Sequence, residues 1–306
     1  MKHPLVIAAI AASTLFVSSH ACLASPLLVG GIGFGSPINR GRIISISEMT
    51  GSGALLPGAG VGSNAGLTGL TFDASGGLYG STVGNPVFAD PTSGSPTLIQ
   101  LDPMGSLLST VPITFGDNPL EVVDLAAQPG TGLLYGASFT SAVPGTSLYT
   151  IDRTTGVATL VGATGVIGVT LAFAPSGTLY MSSATFGASG QTGSFLHTVD
   201  PTTAMVTGTM PIAPLPSGNL VHVGGLAVRP TDGVLFASGR EATVSQRGDI
   251  YTLSTTGAAI LLGSTGVGEV GDLDFAPIPE PANSLLLGSA LAALGLYARH
   301  KKRLWQ

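Results

Sequence analysis

Charge is what this 306-residue chain has least of: 9% of its residues are Asp, Glu, Lys or Arg. The three lysines, Lys2, Lys301 and Lys302, lie at the two extremities. Between residues 25 and 278 the cations are Arg40, Arg42, Arg153, Arg229, Arg240 and Arg247, against fifteen carboxylates. An acidic body without lysine cannot gain affinity by displacing counterions from phosphates, so a nucleic-acid partner is excluded. Cysteine is almost as scarce. The single thiol, Cys22, lies near the N-terminus, so the body has no disulfide framework, thiolate nucleophile or Cys-ligated metal.

Other absences narrow the chemistry. HExxH, CxxC and the Gly-x-Ser-x-Gly nucleophile turn do not occur. Within the body only His197 and His222 remain as imidazoles, too few for a clustered metal centre. His197 falls in a predicted strand, where packing is the expected role. Residues 266–271, GVGEVG, fit G-x-G-x-x-G formally but lead into the strand DLDF. No helix N-terminus then faces a pyrophosphate, and the match is discarded. No Asp-rich calcium loop is present, and no cofactor is expected. A calcium ion held by carboxylates such as Asp272 and Asp274, two residues apart, and Asp124, which aligns with Asp272 in the repeat described below, is the alternative.

What is present in quantity is glycine, 45 residues, set among Val, Thr, Leu, Ser and Ala. That mixture favours short strands joined by tight turns. The first 24 residues stand apart: Lys2, an apolar core from Leu5 to Val17, then small residues, the layout of a secretory signal peptide cut after Ala24 or Ala21. Cys22 also invites a lipoprotein reading, but the preceding SSHA lacks the usual Leu.

Residues 278–306 also stand apart. The apolar run from Ser284 to Ala298 would span roughly 22 Å as a helix, short of a bilayer core of roughly 30 Å. Arg299, Lys301, Lys302 and Arg303 follow at once and can snorkel to cytoplasmic headgroups, which places the body outside. Pro279-Glu280-Pro281, a short hydrophobic helix and a terminal basic cluster together resemble the PEP-CTERM sorting signal. The resemblance covers about the last 28 residues and implies a partner, an exosortase-type membrane protease that processes the exported precursor near Pro-Glu-Pro. It further implies an inner-membrane-anchored precursor, then a cell-envelope or extracellular product, often alongside exopolysaccharide. It implies nothing about the body.

The body, 25–277, is a repeat. One phrase is a hairpin, as in TSLYTIDRTTGVATLVGATG, with turn residues Gly51, Gly105, Gly156 and Gly257 suited to positive φ and Ala204 breaking the series. The other phrase, as in DLAAQPGTGLLYGASF, ends in Leu-Tyr or Leu-Phe at 78–79, 134–135, 179–180 and 235–236. A period near 50 residues with four strands each is the signature of a β-propeller. A fifth second phrase begins at 271–277 without its last strand, and Pro26–Gly35 resembles that strand. The expected fold is all-β: five four-stranded blades closed by the N-terminal strand, plus the C-terminal hydrophobic helix. A β-solenoid is the alternative. Leu70, Phe72, Leu125, Leu171, Phe173, Leu226, Val228, Leu273 and Phe275 are expected to fill the spaces between blades.

Loops joining blades, and those joining each blade's middle strands, share one face and vary most in this chain. Variable loops on a rigid ring are where binding usually resides. The candidates there are Asp117, Glu121, Asp124, His222, Arg240, Glu241, Arg247 and Asp249. The resulting expectation is a non-enzymatic exported propeller that contacts a polysaccharide, another surface protein or a small ligand. The alternative is a secreted propeller enzyme (lactonase, lyase or quinoprotein-like dehydrogenase), for which Asp124, His222 and Asp272 should converge.

Overall fold

The structure, a computed structural model, describes residues 26–33, 35–62, 65–82, 95–139, 145–188, 190–241 and 248–277. The sorting-signal residues Pro279, Glu280, Pro281, Arg299, Lys301, Lys302 and Arg303, the signal peptide, the C-terminal helix and Arg247 lie outside the described residues. The described residues belong to one unit, Pro26–Ile278.

Among the described residues twenty-two strands follow one another along the chain. They begin with β1 (Leu27–Ile32), β2 (Ile43–Ile46) and β3 (Gly53–Leu55). Blade I comprises β4 (Gly69–Phe72), β5 (Leu78–Thr82), β6 (Thr97–Leu101) and β7 (Leu107–Pro112). A small hairpin, β8 (Thr114–Phe115) and β9 (Asn118–Pro119), precedes blade II. Blade II is β10 (Asp124–Ala127), β11 (Leu134–Phe139), β12 (Thr146–Ile151) and β13 (Ala158–Ala163). Blade III is β14 (Gly168–Phe173), β15 (Leu179–Gly187), β16 (Gly190–Val199) and β17 (Val206–Pro211). Blade IV is β18 (Val221–Val228), β19 (Leu235–Glu241), β20 (Asp249–Leu253) and β21 (Ala259–Ser264).

Blade V closes the ring. Its order is β22 (Val270–Ala276), β1, β2, β3, so the last described strand is completed by the first three. Leu27 pairs with Ala276 and Gly30 with Leu273, while Leu28 pairs with Ile46 on the other edge of β1. The inner strands touch in sequence, β4 to β10, β14, β18, β22 and back to β4. The ring is a five-bladed propeller, and closure by an early strand leaves no array end open to another sheet.

The blades stack because one position of each inner strand is leucine. Leu70, Leu125, Leu171, Leu226 and Leu273 are all buried between blades, each contributing roughly 2–3 kcal/mol of transfer free energy. Aromatic pairs extend the contact outward: Tyr135 of blade II meets Phe173 of blade III edge-on at 5.3 Å, and Phe236 of blade IV meets Phe275 of blade V at 5.4 Å. The Leu-Tyr and Leu-Phe pairs are therefore packing residues. Tyr79, Tyr135 and Phe236 are buried and Tyr180 packs against a buried cluster.

The outer hairpin turns explain the recurring glycine. Gly156 has φ +72°, and a Cβ there would lie 2.0 Å from the Pro112 carbonyl oxygen of the preceding blade. Ala204 occupies the same turn position in blade III at φ +63°. Its methyl faces Gly162 of blade II, which has no side chain to obstruct it.

Candidate functional site

Two faces follow from the strand order. One carries the short turns that follow each inner strand and each third strand. The other carries the longer loops within and between blades. Pro26 and Pro277, where the flanking segments join the ring, stand side by side on the turn face, because Leu27 pairs with Ala276.

Each inner strand has an edge that faces the axis, where no further strand can satisfy its N–H groups. Aspartates fill that role. Asp272 Oδ2 accepts the Leu70 N–H at 2.6 Å, and Asp274 Oδ2 accepts the Phe72 N–H at 2.6 Å and the Thr71 hydroxyl at 3.0 Å. Asp124 accepts the N–H of Leu171 and, at 2.7 Å, its neighbour Leu125. Each of these bonds to a neighbouring strand runs to the next blade: V to I for Asp272 and Asp274, II to III for Asp124. Thr71 continues the series by accepting the Ala127 N–H at 3.0 Å, from I to II. These carboxylates clasp the ring from within.

Asp124 and Asp272 are both 0% exposed, and their carboxyl groups interact with each other. Asp272 Oδ1 makes no hydrogen bond of normal geometry among the described groups, although the Leu273 N–H lies near enough to oppose the rise in its pKa. A proton held between the two acids would supply that hydrogen bond. Burial raises the pKa of both, and the neighbouring Asp124 charge raises that of Asp272 further. Asp274 is pushed up to about 6, by burial against the opposing hydrogen bonds of Phe72, Phe275 and Thr71.

Beneath the pair, an axial cavity of about 240 Å³ is lined by all five blades. Its inner end is Leu70, Leu125, Leu171, Leu226 and Asp274; its walls include Phe72, Phe173 and Phe275. Its mouth, on the turn face, carries Pro129, Pro175, Pro230 and Pro277. Aromatic walls held by edge-on partners, with one carboxyl at the inner end, form a small preorganised site. Among the described residues no group of three or more His, Cys, Asp or Glu is arranged to hold a metal ion.

The residues expected from sequence are distributed over the ring. Asp117 and Glu121 are exposed in the segment leading into blade II, and Asp124 is buried on the axis. His222 and Arg240 are cross-strand partners in blade IV, as are Val221 and Glu241, and Gly239 and Asp249. Burial, then the Arg240 charge, lowers the His222 pKa, and its ring lies 6.1 Å from that of Phe186. Asp249 is buried, with its carboxylate 3.4 Å from the Tyr251 hydroxyl. Asp124 and Asp272 thus meet, while His222 belongs to a separate group on blade IV. His197 is buried in blade III, its Nε2 2.7 Å from Ser183 Oγ and its Nδ1 2.9 Å from Thr209 Oγ1, beside a second cavity. Burial lowers its pKa.

Sequence reasoning did not single out the axial cavity, and it weighed Asp274 only as a carboxylate beside Asp272 for calcium. A signal existed, since Asp274 stands where the other blades have Thr71, Ala126, Ala172 and Ala227, and the prolines recur at one register.

No family model matches the chain, and no curated protein matches it in sequence. Solved structures do resemble it. A protein of unknown function from Bacteroides caccae is 11% identical, with 84% of this chain and 100% of that one covered at a TM-score of 0.50. The periplasmic gluconolactonase of Pseudomonas aeruginosa is 15% identical over 83% of this chain and 99% of its own, at 0.45. The PQQ-bound aldose sugar dehydrogenase of Streptomyces coelicolor is 15% identical over 83% and 85%, at 0.44. At such identities the likeness concerns the fold alone.

Proposed function

We propose that the chain is the precursor of an exported propeller of the bacterial envelope or extracellular matrix, with a non-enzymatic binding or structural role. An exosortase-type protease reads its PEP-CTERM tail at the membrane and processes it near Pro279–Pro281. Its partners are an exopolysaccharide or another surface protein. The observation that carries the non-enzymatic reading is the use of Asp124 and Asp272. Their carboxyl groups are fully buried and committed to N–H groups of neighbouring blades, which is work done for the ring. The export reading rests on the signal peptide and the tail. Both flanking segments join the ring on the turn face, so their removal leaves the longer loops of the other face intact.

A second reading, a secreted propeller enzyme, draws support from the same pair. Two carboxyl groups sharing a proton are a recurrent acid–base device. His222 lies apart from them, however, on blade IV, and neither acid is exposed to a substrate.

The test uses Trp305, the single tryptophan, which lies beyond the basic cluster. The chain is expressed in a host with the sorting protease and in the same host lacking it. Intact mass and tryptophan fluorescence are read on the exported material. A product cut near Pro279–Pro281 without tryptophan, seen only with the protease, is expected. Full-length, membrane-bound, fluorescent protein in both hosts would overturn the sorting reading.

A further inference from the structure

The axial cavity is apolar along its walls and acidic at its inner end. Its one unpaired charge is Asp274, which receives three hydrogen bonds: Thr71 Oγ1 and the Phe72 N–H on Oδ2, and the Phe275 N–H on Oδ1 at 2.7 Å. A carboxylate offers about four lone-pair sites, so one acceptor position is left. Every protein donor to it is neutral. Among the described residues, the turn face has two arginines, and both are engaged elsewhere: Arg153 with Asp73, Arg229 with Glu48 and Asp232. Among the described residues no arginine or lysine lines the cavity. A half-buried carboxylate set against apolar walls without a cation is poorly compensated, and a ligand can supply that cation.

The walls fit the same ligand. Phe72, Phe173 and Phe275 line the cavity, and aromatic faces attract ammonium groups. At about 240 Å³ the space is smaller than the roughly 300–1,000 Å³ of sites for drug-sized molecules.

We propose that the axial cavity binds a small primary amine with a compact apolar body, its ammonium group on Asp274 and its apolar part among the three phenyl rings. This names a ligand class for the binding role proposed above and rests on that reading. Protonation of Asp274, whose pKa lies at about 6, removes the attraction, so affinity falls as the solution is acidified through that value.

The test is titration calorimetry on the purified exported protein with benzylamine and, as a neutral match, benzyl alcohol. Benzylamine is expected to bind at least tenfold more tightly at pH 8 than benzyl alcohol, and at least tenfold more tightly at pH 8 than at pH 5. Asp274→Asn should abolish the preference for the amine. Ala127 occupies the repeat position of Phe72, Phe173 and Phe275, so Ala127→Phe fills the cavity with a side chain the blades already accommodate there. That variant keeps Asp274 and should lose both ligands. Equal affinity for amine and alcohol, or amine binding that survives Ala127→Phe, overturns the proposal. A protein that is sorted and cut normally yet ignores benzylamine overturns this inference and leaves the proposed function standing. Amine binding by a chain that is never processed does the reverse.

Discussion

The carboxyl groups of Asp124 and Asp272, from blades II and V, meet inside the ring, where Asp272 Oδ1 makes no hydrogen bond of normal geometry among the described residues. Neither acid can lose its proton there as readily as in water. With Asp274 they make the interior of the propeller a place where protons are held more tightly folded than unfolded.

Stability should therefore depend on these acids with a definite sign. A carboxyl whose folded pKa lies above its unfolded value, 3.8, binds more protons in the native state. Its contribution is complete below the unfolded pKa and is lost as pH rises through the folded one, about 6 for Asp274. At pH 5 the Asp274 contribution relative to pH 8 comes to about 1.4 kcal/mol, or roughly 4 °C in melting temperature. His197 and His222, with lowered pKa values, give the opposite slope, so the measurement must be a difference. The melting-temperature gap between wild type and Asp274→Asn should be more favourable to wild type at pH 5 than at pH 8. An equal gap at both pH values refutes the assignment.

Asp272→Asn should act differently. An amide can donate to Asp124 and still accept the Leu70 N–H, which imitates the proton-sharing state permanently. The variant should melt higher than wild type at pH 8, by about 1–3 kcal/mol, the cost of an unsatisfied buried polar group. A lower melting temperature at pH 8 would show that Asp272 Oδ1 is satisfied in another way.

The turn position shared by Gly156 and Ala204 gives a paired test. Gly156→Ala places a methyl at positive φ and against the Pro112 carbonyl, combining left-handed strain of roughly 1–2 kcal/mol with a clash. A loss of at least 3 kcal/mol is expected by denaturant unfolding. Ala204→Gly relieves the strain but gives up a buried methyl worth about 0.8 kcal/mol, so it should be nearly neutral. Equal effects would mean that neighbouring-blade contact does not select glycine here.

Closure by β1 can be tested by removing it. β1 is hydrogen-bonded to β22 on one edge and β2 on the other, and Leu28, Val29 and Ile32 are buried. Deleting residues 26–32 from the mature chain opens the ring and exposes two strand edges. The loss should match the entire stability of an ordinary domain, roughly 5–15 kcal/mol. Circular dichroism should then find no cooperative melt, and a sharp transition would contradict the closure.

This closure was legible in the sequence because Pro26–Gly35 has the wording of the missing strand, and the blade count followed from five hairpin phrases alternating with second phrases whose Leu-Tyr or Leu-Phe pairs recur about every 50 residues. The axial site was not. It arises where five short phrases from distant parts of the chain face one axis, and its volume comes from what is small there, Ala126, Ala127 and Ala172. Longer loops attracted attention because they differ, whereas the cavity opens among turns that look alike. Asp124 showed the limit most plainly: its alignment with Asp272 was visible, but their contact across blades II and V needs the ring.

The ion pairs of the turn face offer a last prediction. Asp73 of blade I binds Arg153 of blade II, and Arg229 of blade IV binds Glu48 of blade V at 2.6 Å. Asp73 and Arg229 occupy one repeat position, and Arg153 and Glu48 another, so the two interfaces use the same contact with the charges exchanged. Each arginine also covers an aromatic ring: Arg153 lies 5.7 Å from the centre of Tyr79, and Arg229 lies 5.4 Å from that of Phe236. Asp73 is 4% exposed but is also held by Ser75 and Gly77, which keeps its charge satisfied in part without Arg153. Arg153→Ala should therefore cost about 1 kcal/mol, between an exposed and a buried pair. Arg229→Ala should cost more, since it strands Glu48 and Asp232 together. A double-mutant cycle for each pair, read by urea unfolding, should give coupling larger at Arg229–Glu48 than at Arg153–Asp73. The reverse order would show that the buried Asp73 depends on Arg153 more than its turn hydrogen bonds allow.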